Sequence, residues 1–165
     1  MNGVLVDTSV WIAYFRGDEQ EKAAADALAY LISGDEAVVN DVILTELVPF
    51  MSVRGEHDCV NALTALHSPK LDIDWNGLRA LQETCLRAGV NKVGIPDLII
   101  VQQAIALDMP IFSLDRHFPL IAGCTALRLW PPAARTKRKA KTIKGENKCQ
   151  KANISTQKAK GMTAT

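Results

Sequence analysis

Four acidic residues stand beside strongly apolar sequence. They are Asp7 after G-V-L-V, Glu46 inside V-I-L-T-E-L-V-P-F, Asp97 at the head of D-L-I-I-V-Q-Q-A-I-A-L, and Asp115 after I-F-S-L. Burying a carboxylate without compensation costs several kcal/mol or forces it to take up a proton. Each therefore needs a partner or a purpose. Glu46 shares a helical face with Val42, Ile43 and Phe50, at i−4, i−3 and i+4, and is expected to be buried, with Arg79 or Arg87 as candidate partners. Taken singly, each acid has an ordinary use: Asp97 and Asp41 are of a type that caps helices, Asp7 can cap the helix that follows it, and Asp115 can stabilise a turn. Taken together, four acids converging on one pocket repel one another unless a cation lies between them. Hard divalent cations such as Mg²⁺ or Mn²⁺ are bound by carboxylate oxygens and water, so an acid cluster without His or Cys points to them rather than to zinc. Phosphodiester hydrolysis suits such a site, because a held cation neutralises phosphate oxygens, acidifies a water and steadies the leaving oxygen.

The elements that must position these acids alternate between short β-like runs and longer helical ones. G-V-L-V reads as a strand, followed by a helix S-V-W-I-A-Y-F whose start Thr8 or Ser9 can cap. A second helix is expected from about Glu19 to Ser33, with Ala23, Ala27, Tyr30 and Leu31 near helical spacing and Gly34 as its stop. A-V-V-N reads as the second strand, and Asp41 is placed to cap a third helix. Weaker helical patterns follow at His57 to His67 and Trp75 to Ala88, with a short strand at Leu71 to Ile73 between them. Pro96 sits at a first helical position and opens a helix apolar on nearly every side, hence buried, which Pro110 ends. I-F-S-L, a turn or short helix at D-R-H-F-P-L-I-A-G, and a last strand A-L-R-L-W close the pattern. Such alternation predicts an α/β class, a three-layer α/β/α fold with a mainly parallel central sheet. Functional groups gather at the carboxyl ends of the strands in these sheets, where this reading places Asp7 and Asp115.

Composition sets the limits. The chain has 165 residues, 48% of them hydrophobic, which suits one globular domain with a real core. No stretch approaches the ~18 apolar residues of a membrane span, and none reads as a signal peptide. Cys59, Cys85, Cys124 and Cys149 lie far apart, with neither a C-x-x-C pair nor zinc-finger spacing, and read as reduced thiols. A cytoplasmic protein is the expectation.

The net charge of +1 conceals two segments. Residues 1–130 hold 9 Lys and Arg against 17 Asp and Glu, a net of −8, whereas residues 131–165 hold 10 Lys and Arg against Glu146 alone, a net of +9. Pro131 and Pro132 mark the junction, and T-K-R-K-A-K-T-I-K-G has no apolar periodicity from which to build a core. The expected organisation is a domain over 1–130 and a basic, disordered tail over 131–165. The tail reads either as a solubilising extension or as a polybasic arm that contacts RNA phosphates.

Over about residues 3 to 130 the sequence resembles the PIN-domain family, and within it the VapC-type toxins. V-L-V-D-T-S-V-W-I-A-Y-F-R-G-D is similar to the family's opening strand, first aspartate and first helix; T-E-L to its second-acid segment; and I-P-D-L-I-I-V-Q-Q-A-I-A-L-D-M-P-I-F-S-L-D-R-H-F to its third and fourth. Each segment alone is common, but the set in this order and spacing is specific. The resemblance implies an endoribonuclease using Mg²⁺ or Mn²⁺, commonly a homodimer, neutralised by a small antitoxin over its acidic pocket. It makes Asp7 and Asp97 the principal metal ligands. Glu46 would complete the site and help position the attacking water, Asp115 would be the fourth acid, at a second metal if two are held, and Thr8 would be a supporting hydroxyl. Many members have Thr two residues before the fourth acid; here Ser113 keeps the hydroxyl without the methyl.

Arg16 and Arg116 are expected near the pocket rim, where they could meet phosphate. His57, His67 and His117 are given no role, and Trp11, Tyr14 and Phe15 read as core or dimer surface, with dimerisation through the first helices as one expectation. Two rival functions remain. One is a catalytically silent PIN-like module for RNA binding or assembly. The other is a phosphatase like the haloacid dehalogenases with Asp7 as nucleophile, which the Ser at position 9 disfavours because those enzymes carry a second Asp there.

Overall fold

The computed structural model of the chain describes residues 3–17 and 19–130. The expected basic tail over 131–165 lies outside the described residues. Three short parallel strands form the sheet: β1 (Val4–Val6), β2 (Ala37–Val38) and β3 (Ile111–Phe112), in the order β2-β1-β3. Val4 pairs with Ala37 and Leu5 with Val38 on one side of β1; Leu5 pairs with Ile111 and Val6 with Phe112 on the other. All seven of these strand residues are buried, as continuous apolar runs in a sheet covered on both faces should be. Single parallel bridges extend both edges, with His67 beside Val38 and Leu129 beside Ile111. β1 enters at close quarters: a side chain at Gly3 would place its Cβ 2.4 Å from Val38 Cγ2 and 2.7 Å from the Glu36 carbonyl oxygen. Glycine is what lets these backbones approach.

Helices α1 (Thr8–Arg16), α2 (Lys22–Ser33), α3 (Asp41–Val53), α4 (His57–Thr64), α5 (Trp75–Arg87), α6 (Ile95–Ala106) and α7 (His117–Ala122) flank the sheet in a three-layer α/β/α arrangement. α1 packs on α2, α3 on α4 and α5 on α6, while α3 also meets α1 and α6. Trp11, Phe112 and Phe118 are fully buried at the centre of one continuous core. The Trp11 indole N–H donates to the Val6 carbonyl at 3.1 Å, so the largest core side chain leaves no buried donor unpaired. α6 buries Leu98 through Val101, Gln103 and Ala104, as its apolar sequence predicts. Among the described residues no helix is long and apolar enough to cross a membrane, and Cys85 and Cys124 are free thiols.

Several expectations are corrected. Asn40, not Asp41, caps α3, accepting the Ile43 N–H at 3.0 Å, and Asp41 is a first-turn acid. Asp7, not Thr8 or Ser9, caps α1. The second helix begins as a 3-10 turn, Glu19–Glu21, and Tyr30 is 65% exposed, because its buried face runs through Ala24, Ala27, Leu28 and Leu31. Residues 71–73 form no strand; the edge position beside β2 is held by His67. A-L-R-L-W contributes one bridge rather than a strand. α6 ends at Ala106, before Pro110, and Asp108 turns with a left-handed φ of 49°.

Candidate active site

The carboxyl edge of β1 and β3 is where adjacent strands of this sheet part, and ligand sites of open parallel sheets form at such switch points. Asp7 follows β1 directly and is 5% exposed. Its Oδ2 accepts three bonds: from Ser9 N at 3.2 Å, Ser9 Oγ at 2.5 Å and Ser113 Oγ at 2.8 Å. Each hydroxyl has one proton, and both are spent on Asp7, so the 3.3 Å approach of the two Oγ atoms is a packing contact. Their lone pairs are used as well: Ser9 Oγ accepts Leu114 N and Ser113 Oγ accepts Asp115 N, both at 3.0 Å. This small ring fastens the turn after β3 to the turn after β1. The loss of a methyl at Ser113 removes none of these bonds.

The other acids are held in the same manner. Asp97 lies at the third position of α6, and its Oδ2 accepts the Gly94 N–H at 3.3 Å, one half of a capping box. Asp115 Oδ1 accepts the His117 backbone N–H at 2.8 Å and lies 2.9 Å from His117 Nδ1. Glu46 Oε2 accepts the Thr8 hydroxyl at 2.5 Å. Asp7, Asp97 and Asp115 thus each perform the capping or turn duty that such residues ordinarily have. They perform it with one oxygen. Among the described residues no donor reaches Asp7 Oδ1, Glu46 Oε1, Asp97 Oδ1 or Asp115 Oδ2.

Asp97 feels the other three acids. Burial pushes the Asp97 carboxyl above its usual range, the Gly94 N–H pulls it partly back, and the charges of Asp7, Asp115 and Glu46 push it up again. Acids separated by up to 108 positions therefore share one field. Still, among the described residues no three carboxylate, imidazole or thiol groups stand close enough to form a finished metal cage. The donor chemistry fits a hard divalent cation: oxygen only, anionic, and with one free lone-pair face on each group.

Glu46 departs from expectation. It is exposed, as is Phe50 at 63%, because α3 buries Ile43, Leu47 and Met51 instead. No buried partner is needed: Arg79 bonds Asn76 and Arg87 pairs with Glu83. The structure brings Thr8, Ser113 and the four acids to one edge. Arg116 follows Asp115 and is exposed, whereas Arg16 ends α1, roughly 13 Å along the helix from Asp7 at ~1.5 Å per residue. Sequence reasoning gave no site role to Ser9 or His117. The D-x-S and D-x-H spacings were the available signals, since a side chain two residues on can fold back onto a carboxylate.

Acids gathered at the switch point of a parallel α/β/α sheet are placed where such folds bind ligands. Residues 4–123 match the model of the PIN domain, and the chain belongs to the PIN-domain family. PIN domains are typically nucleases, acting as hydrolases on nucleic acid, and those nucleases bind RNA and generally use Mg²⁺ or Mn²⁺. No curated protein matches the chain.

Proposed function

We propose that this chain is a Mg²⁺- or Mn²⁺-dependent endoribonuclease and the toxin half of a toxin-antitoxin pair. The observation that carries the reading is the half-engaged state of Asp7, Glu46, Asp97 and Asp115: one oxygen of each is fixed to the scaffold and the other is without a donor among the described residues. Structural caps need no such convergence of like charge. The toxin assignment rests on the motif resemblance around Asp7, Glu46, Asp97 and Asp115.

Asp7 and Asp97 would hold the cation, with Glu46 and Asp115 completing the acid set. The cation, when bound, supplies charge neutralisation at the phosphate and a more acidic water. The chain's own residues do the positioning. Ser9 and Ser113 fix the Asp7 carboxylate, Thr8 orients Glu46, and His117 holds Asp115 in its turn. Exposed Glu46 can reach a water as well as a metal. Arg116 is the candidate phosphate contact at the rim.

The same reading includes an antitoxin covering the acidic crevice, a cytoplasmic site of action and a homodimer. Trp11 and Tyr14 cannot form that dimer's face, being 0% and 6% exposed within the core. Residues 1–130 would be the nuclease domain and 131–165 an appended basic segment.

The test is incubation of a mixed tRNA and rRNA pool with purified protein freed of co-purifying inhibitor, in Mg²⁺ or Mn²⁺ and in EDTA, beside Asp97→Asn. Discrete fragments that vanish in EDTA and in the variant are expected. Folded protein that cuts nothing with any metal would replace this reading with the silent RNA-binding module.

A further inference from the structure

The described domain is poorly charged for a polyanionic substrate. Residues 1–130 carry a net −8, and three of their nine cations are paired with carboxylates: Arg54 with Glu56, Arg87 with Glu83, and Arg128 with Asp108. Arg79 is engaged as well, donating to Asn76 Oδ1. A cation in the crevice answers the scissile phosphate only, so the flanking phosphates of an RNA strand still meet an acidic surface. Two basic residues of the domain lie within five positions of a site acid: Arg116, next to Asp115, and Lys92, five before Asp97.

Lys92 lies in the loop that delivers Asp97. Val90 and Val93, on either side of it, are buried, and Val90 N donates to the Cys85 carbonyl at 2.8 Å, so the loop is pinned to α5 and the core. Lys92 between them is exposed and forms no ion pair among the described residues. Its backbone is left-handed, with a φ of 65°. Among the described residues the other non-glycine positions with such a φ are Asp35 and Asp108, of a type that tolerates it. Asn91, which would adopt it more readily, is the preceding residue and does not. A long cationic side chain is thus held in a conformation that an amide one position earlier would tolerate better, and strain of that kind collects at functional sites. Gly94, two residues on, gives its N–H to Asp97 Oδ2 at 3.3 Å. The Lys92 and Gly94 Cα atoms are therefore at most about 7 Å apart, and a lysine's four-carbon stem is long enough to carry its ammonium to the edge of the acid set.

We infer that Lys92 is a substrate-binding residue whose ammonium meets a backbone phosphate flanking the scissile bond. The inference rests on the nuclease reading and adds to it a contact from the loop before α6, beside that of Arg116 from the loop before α7. Lysine suits this duty, since its ammonium is a point charge on a flexible stem that accepts any phosphate geometry and reads no base. Its contribution is to affinity for the strand and not to choice of sequence. One such contact releases counterions and adds roughly 0.7 to the log-log salt slope on a single strand.

The experiment measures binding of a fluorescent single-stranded RNA by the full chain in EDTA, without cleavage, across a salt series. The unaltered protein is compared with Lys92→Gln, with Lys92→Arg, which keeps the charge, and with Lys22→Gln, which removes an equal charge far from the site acids in sequence. Lys92→Gln should lower the slope by about 0.7 and weaken binding roughly 5- to 10-fold near about 50 mM salt. Lys92→Arg should keep most of both, and Lys22→Gln should leave the slope at the parent's value. An unchanged slope in Lys92→Gln, or equal losses in Lys92→Gln and Lys22→Gln, overturns the inference. The loss should also be the same for two RNAs of unrelated sequence; a loss confined to one of them overturns the phosphate contact in favour of a base contact. Cleavage in Mn²⁺ by the unaltered chain is scored separately: its absence defeats the nuclease reading, whereas cleavage with an unchanged Lys92→Gln slope defeats only the role of Lys92.

Discussion

Two polar residues follow adjacent strands at the same edge of the sheet, and they are finished differently. Asn40, two residues beyond β2, caps α3 with its Oδ1 and gives its Nδ2 to Gln103 Oε1 at 2.8 Å; Gln103 in turn donates to the Pro69 and Lys70 carbonyls at 3.2 and 3.3 Å. Both amides are buried and both ends of each are used. Asp7, one residue beyond β1, caps α1 with one oxygen and leaves the other without a donor among the described residues. The amide bridge stabilises the fold, whereas the charges of Asp7, Asp115 and Glu46 disfavour ionised Asp97 and so work against it. Where a buried polar group is fully satisfied its duty is structural; where it is satisfied by half, the free half is available for chemistry.

The sharpest way to break the comparison is to make the first cap resemble the second. Asn40→Asp places a carboxylate at a 0% exposed position opposite the Gln103 carbonyl oxygen, and should destabilise the fold by about 3–5 kcal/mol, the scale of an uncompensated buried charge. Urea denaturation at pH 7 measures it, and a midpoint equal to the parent's would show that Gln103 turns over without loss. Next in size is the response to cation. Mg²⁺ or Mn²⁺ at 100 times its dissociation constant should raise the unfolding free energy by about 2.7 kcal/mol, and clearly less in Asp97→Asn. Equal shifts in both proteins would remove Asp97 from the binding set.

Ser113→Ala deletes a donor to Asp7 and the acceptor of Asp115 N, so cleavage should fall about 10- to 100-fold, the usual effect of losing a partner that orients a metal ligand. Ser113→Thr keeps the hydroxyl and should restore most of the rate. The smallest effect is on the pH dependence of the metal-free fold. Because burial and the neighbouring acids raise the Asp97 pKa, the folded chain binds that proton more tightly than the unfolded chain. The resulting stability is full below the ordinary carboxylate value and is lost as pH rises through the raised one. Asp97→Asn removes this loss, so its thermal midpoint without metal should exceed the parent's at pH 7, with the advantage closing as the solution is acidified. A difference constant with pH would trace the effect to the capping bond from Gly94 instead.

Asp7 and Asp115 could be placed from sequence because each closes a short apolar run, and a run of that kind ends at a sheet edge. α6 was legible for a related reason, since a helix apolar on nearly all sides has only the core to occupy. Glu46 misled because Val42 and Phe50 are apolar yet stay partly or largely outside; α3 is rotated so that Ile43, Leu47 and Met51 face inward, a rotation set by its packing on α4, α1 and α6 together. The last strand shrank to one bridge because its partner β3 is two residues long. Ser9 and His117 escaped notice although their partners Asp7 and Asp115 are two residues away, because a D-x-S or D-x-H spacing alone does not tell a site residue from an ordinary turn; only the meeting of Ser9 with Ser113, 104 positions apart, is encoded by no local pattern.

The bond from Ser113 to Asp7 joins positions 106 apart, and β1 pairs with β3 across nearly the whole domain. During synthesis the first strand leaves the ribosome early, but the strand that completes its turn is among the last parts of the domain to emerge. A nascent chain therefore carries Asp7, Glu46 and even Asp97 without the geometry that unites them. On the proposed nuclease reading, the active site is incomplete for as long as the domain is being made.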